Sequence, residues 1–228
     1  MAALGLLLPM LLLYEVGTLV SDPTADAAGR VMAFHLLDWF FGFFGVASLH
    51  LPTMAAVVIL LTWHVLCRDP WTIHLPTTAA MTVESIALAA PLLLLSRILG
   101  PVVISAAAQT DWVDEVILSV GAGIYEELLF RLILISLLGL ILVDIAGLDF
   151  AWGYGIAVVV SALLFAGHHY KPLAAESFSW ISFAFRTIAG LYLAGIFVFR
   201  GFGLAVGCHA AYDLMVVLLG TRIEGAPS

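Results

Sequence analysis

Charge is what this chain has least of. Only 11% of its 228 residues are Asp, Glu, Lys or Arg, while 63% are hydrophobic. A soluble core of this length has no use for so much apolar surface, and a mean hydropathy of +1.14 points to a polytopic membrane protein. Basic clusters are missing as well: 8 Lys and Arg stand against 16 Asp and Glu, for a net charge of −8. That leaves nothing to hold a nucleic-acid partner. The two cysteines, Cys67 and Cys208, sit in apolar surroundings without metal or disulfide spacing and read as packed thiols. The long apolar runs also lack period-2 alternation, which selects a helix bundle over a closed barrel, the two shapes that satisfy their backbone in lipid. The expected fold is therefore an all-α transmembrane helix bundle of about seven to eight spans. With no low-complexity tract, internal repeat or second domain in view, residues 1–228 read as one integral-membrane domain. Basic residues are scattered over both sets of loops and do not set the orientation.

The first apolar run, residues 1–20, is read as a retained helix rather than a signal peptide, because no Lys or Arg precedes Arg30. Glu15 near its far end is expected to be an interfacial carboxylate, with an inward-facing group as the second reading. Residues 21–29 form a polar loop. The aromatic segment 31–48 has three open readings: interfacial, re-entrant, or the start of a span. Residues 49–67 read as a clear span, with Trp63 and His64 in an interfacial belt. Residues 76–99 make the next, with Glu84 two turns inside and able to meet a partner in the interior. An acidic loop at 109–115 precedes a helix from Val116 to about Leu142. Spans at 154–169, 177–199 and 204–219 complete the bundle, and Gly190 and Ala194 give the second of these a small face for close helix contact.

Within the helix after the acidic loop, Glu126, Glu127 and Arg131 interrupt a run of Val, Ile, Leu, Gly and Phe. An ionisable group at the bilayer centre costs roughly 2.5–3.5 kcal/mol on insertion scales, so such groups pair with one another or line a site. Glu127 and Arg131 are four apart on one face, and Glu126 is turned about 100° away. Arg131 can neutralise Glu127 and leave Glu126 free for general base or acid work. The plainer reading is a buried charge cluster that locks helices together. Two later helices add polar groups in i, i+4 pairs, Phe165 with His169 and His209 with Asp213. Taken singly, His168 or His169 reads as a helix-end cap, and His209 as packed against Asp213.

The residues EELLFR at 126–131, Phe165 to His169 and His209 to Asp213 resemble the EExxxR, FxxxH and HxxxN/D motifs of the CPBP family, the CAAX proteases and bacteriocin-processing enzymes also called Abi. The similarity covers residues 80–220, the expected catalytic core. It implies intramembrane proteolysis by a glutamic-type endopeptidase, integral to the membrane and multi-pass, with no cofactor or metal. Glu126 would be the base that activates water, and His169 would help to hold it. His209 and Asp213 would form the oxyanion side, with Glu127, Arg131 and Phe165 in support. Asp213 departs from the Asn form, since a carboxylate donates only when protonated; it would instead orient His209. His168 lies outside the FxxxH register, which selects His169.

The implied partners are the lipid bilayer and a membrane-associated peptide or protein substrate, CAAX-like or leader-type. A monomer suffices, because all candidate residues lie on one chain. Two other readings stay open. One adds zinc on Glu126, His169 and His209, although no HExxH helix is present. The other is a non-catalytic scaffold or immunity protein, or a proton-relaying transporter, the last disfavoured by the absence of paired broken helices.

Overall fold

The computed structural model describes residues 2–21, 30–45, 50–68, 70–72, 74–99, 112–174 and 176–224. Among them every regular element is a helix, as the apolar runs require. The helices are α1 (Ala2–Ser21), α2 (Met32–Phe43), α3 (Leu51–Leu66), α4 (Leu75–Leu99), α5 (Trp112–Ile145), α6 (Phe150–Gly167), α7 (Trp180–Arg200) and α8 (Phe202–Glu224). Six of these, all except α2 and α3, are long and apolar enough to cross a membrane. The polar stretch 22–29 and residues 109–111 of the acidic loop lie outside the described residues.

Several boundaries differ from the sequence reading. The segment read as a clear span at 49–67 becomes α3, whose 16 residues reach about 24 Å, short of a hydrocarbon core of about 30 Å. The aromatic segment is α2, with 12 residues. Ala33, Phe34 and Leu37 face inward, and Trp39, Phe40 and Phe43 face out. Asp114 and Glu115 belong to the first turn of α5 instead of a loop, where carboxylates complement the exposed N–H groups and dipole of a helix start. Cys208 is buried as expected, but Cys67, at the end of α3, is exposed. His64 is buried against the ring of Trp71 at 4.5 Å rather than held in a belt, while Trp63 is exposed.

Helix α8 organises the bundle, packing against both α4 and α5, while α6 lies along α7 and α1 along α5. One apolar cluster joins Leu7, Leu11 and Tyr14 of α1 to Phe34, Ile124 and Leu128. A second joins Leu92 of α4 to Phe185 and Leu193 of α7 and Cys208 of α8. Close approach depends on glycine at a few points. A Cβ on Gly190 would stand 3.1 Å from Ala162, so the small face expected on α7 is where it meets α6. Gly201, at φ +91°, turns the chain from α7 into α8, a conformation open to glycine at little cost.

Glu15 faces inward, as its second reading had it: its carboxylate receives both terminal nitrogens of Arg30, at 2.7 and 3.2 Å, and the Thr53 hydroxyl at 2.5 Å. Thr53 also meets the hydroxyl of Tyr125 at 2.7 Å, so α1, α3 and the residue before Glu126 share one polar cluster. Glu84 does find a partner, Arg200, through bonds of 2.8 and 2.7 Å, but at a part-exposed face instead of the interior.

Candidate active site

Glu126 and Glu127 end the regular α-helical part of α5, and the next eight residues, Leu128–Ile135, are π-helical. Such widened turns leave backbone carbonyls to be satisfied from outside and are frequent at functional sites. Here the Ser161 hydroxyl of α6 donates to the Phe130 carbonyl at 2.7 Å. The helix is thereby pinned to α6 immediately beside the charged trio.

Arg131 and Glu127 are fully buried and meet as an ion pair at 3.1 Å, as their four-residue spacing predicts. The guanidinium also lies 4.2 Å from the centre of the Phe165 ring and donates to the Gly190 carbonyl at 3.4 Å. A cation over an aromatic face gains from the ring quadrupole, and most so away from water. One arginine thus ties α5 to α6 and α7. The other oxygen of Glu127 faces His209 Nδ1 at 2.8 Å, a contact between residues 82 apart that no spacing rule announces.

Glu126 is nearly buried and points elsewhere. Its Oε1 lies 3.6 Å from His168 Nε2, and its Oε2 lies 3.9 Å from His169 Nε2 and 3.8 Å from His209 Nε2. Asp213 stands 3.5 Å from His209 Nε2. The structure therefore gathers Glu126, His169, His209 and Asp213 at one place, with Glu127, Arg131 and Phe165 directly behind. His168 joins them outside the motif register. On a continuing helix it would point about 100° from His169, but α6 stops at Gly167 and both imidazoles fold back onto the last turn. Each places Nδ1 on the Phe165 carbonyl, His168 at 2.6 Å and His169 at 2.9 Å. A carbonyl only accepts, so both rings donate from Nδ1. The capping reading and the site reading of these histidines describe the same atoms, since an end carbonyl of α6 fixes the rings that face Glu126. His169 lies beyond the end of the span, and its burial pushes the imidazole down to about 3, which keeps it neutral near pH 7.

These groups open onto a cavity of about 630 Å³ lined also by Arg30, Glu115 and Leu92. Arg186 stands on its wall, paired with Glu176 at 2.6 Å. The volume suits a peptide segment or a drug-sized ligand.

A multi-pass helix bundle that gathers two carboxylates and three imidazoles on one cavity defines an integral membrane protein with a polar site among its helices. Residues 108–215 match the family model for type II CAAX prenyl endopeptidase Rce1-like proteins, in keeping with the CPBP family that the three motifs resemble. The match indicates a membrane endopeptidase. No curated protein and no solved structure matches the chain.

Proposed function

We propose that the chain hydrolyses a peptide bond in a membrane-associated protein, CAAX-like or leader-type, using water activated by Glu126. What carries the reading is the placement of this one nearly buried carboxylate, unpaired by arginine, within 3.6–3.9 Å of three imidazole nitrogens on the wall of a cavity. Water between Glu126 and the bare Nε2 of His169 is held by both. Its oxygen attacks the scissile carbonyl carbon while its proton passes to Glu126. The developing oxyanion takes a hydrogen bond from His209. Because Glu127 accepts from Nδ1 of that ring, donation from Nε2 makes His209 an imidazolium, steadied by Asp213. Glu126 then returns its proton to the leaving amine as the C–N bond breaks. Arg131 offsets the charge of Glu127, and Phe165 positions both Arg131 and His169.

The test compares protein and peptide termini in cells carrying the wild-type chain or Glu126→Gln at matched membrane levels. New termini found only with the wild type support the peptidase and name its substrate. Identical profiles, with the phenotype of a deletion rescued by both chains, make the buried charges a scaffold instead.

A further inference from the structure

His168 Nε2 and Glu126 Oε2 are buried, and neither has a hydrogen-bond partner. The reason lies in the rings' orientation. With Nδ1 of His168 and His169 both donating to the Phe165 carbonyl, Nε2 is the ring nitrogen that each turns toward Glu126. Two imidazole nitrogens and a carboxylate therefore converge on the wall of the cavity, with their ligand atoms within 4.8 Å of one another. One water brings two hydrogens and satisfies two of them. A cation satisfies all three.

We infer that Glu126, His168 and His169 form a site for one divalent transition-metal ion of the zinc type, and that metal there blocks peptide hydrolysis. The donor set of two imidazoles and a carboxylate suits such an ion and does not suit calcium or magnesium, which prefer oxygen alone. Ligand atoms about 2.1 Å from a tetrahedral ion stand about 3.4 Å apart. The separations here are 3.6 Å from His168 Nε2 to Oε1 and 3.9 Å from His169 Nε2 to Oε2, and one ligand atom from each residue lies within 4.8 Å of the others, so closing around an ion takes a side-chain adjustment of up to about 1.4 Å. Both rings already carry the outer hydrogen bond, Nδ1 to a backbone carbonyl, that fixes the tautomer of a metal-binding histidine. His209 is less suited than the motif order suggests, because its Nδ1 is held by Glu127 and its Nε2 lies beside Asp213.

The inhibitory half rests on the reading of Glu126 as the base. A zinc peptidase keeps a carboxylate free of the metal to take the proton from water. Here Glu127 is committed to Arg131 and His209, and Asp213 lies beside His209. An oxygen of Glu126 that ligates the ion cannot also accept the proton.

The experiment uses the full-length chain in detergent micelles or nanodiscs, dialysed to equilibrium against zinc chloride alone, with bound metal read by elemental analysis. The expected result is one zinc per wild-type chain, with binding weakened about tenfold or more in His168→Gln and in His169→Gln, each checked by size-exclusion elution. His74→Ala, at an exposed position, keeps the wild-type value. Cleavage by the wild type should fall as zinc occupancy rises and return with a chelator. No zinc bound above the level of the two histidine variants overturns the site. Cleavage lost to a chelator and restored by zinc overturns the inhibitory role. Occupancy is read without substrate, so the two readings fail separately. A chain that cleaves but binds no zinc sinks this inference alone. One that binds zinc through these residues and cleaves nothing supports the site and sinks the peptidase.

Discussion

Glu127 Oε1 stands 2.8 Å from His209 Nδ1 while its Oε2 faces Arg131 Nε at 3.1 Å, so one fully buried carboxylate joins the ring proposed to hold the oxyanion to the buried arginine. The second Glu of the motif thus bridges its own helix and α8.

Glu127→Gln is expected to slow cleavage mainly through kcat, with little change in KM, because it loosens His209 without touching the cavity wall. Steady-state kinetics on a substrate peptide check this. A change confined to KM would contradict the assignment.

Arg131→Met removes one member of a buried pair and leaves Glu127 with His209 alone, which should cost up to about 3–5 kcal/mol. The double variant Glu127→Gln with Arg131→Met should be more stable than Arg131→Met alone, since it no longer buries a carboxylate that has lost its arginine. Thermal unfolding of all three chains in one detergent measures the difference.

Asp213→Asn should keep most of the cleavage rate, because an amide beside His209 Nε2 can still hydrogen-bond to the ring or donate directly to an oxyanion. Asp213→Leu should lose it. Equal loss in both variants would mean that the negative charge itself is required.

Gly190→Val places new methyl groups where a Cβ alone already stands 3.1 Å from Ala162. Forcing α6 and α7 apart should cost about 1–3 kcal/mol and weaken the contact of Arg131 with the Gly190 carbonyl. Gly195→Val, where a Cβ meets nothing within 4 Å, is the control.

Two arginine–glutamate pairs separate burial from geometry. Arg30→Met should lower the melting midpoint clearly, because its side chain is 1% exposed and anchors the Glu15, Thr53 and Tyr125 cluster. Arg200→Met breaks an equally short pair with Glu84, but at a face where the arginine is 55% exposed, and should change little.

The sequence by itself determined the solvent and the fold class, and it marked the charged residues of the candidate site. A chain with so few charges and unbroken apolar runs has no other way to satisfy its backbone in lipid than as helices, and the cost of intramembrane charge singles out Glu126, Glu127 and Arg131. Spacing within one helix also forecast the Glu127–Arg131 pair, because i, i+4 neighbours are fixed by helical geometry. Only the tertiary structure decided what depends on residues far apart along the chain or on where a helix stops. Glu15 takes its partner Arg30 from beyond a polar stretch, and Glu84 meets Arg200 at a face no pattern identifies. His209 is held by a carboxylate 82 residues away. His168 enters the site because α6 ends one residue before it, which releases the ring from the helical frame that would turn it aside.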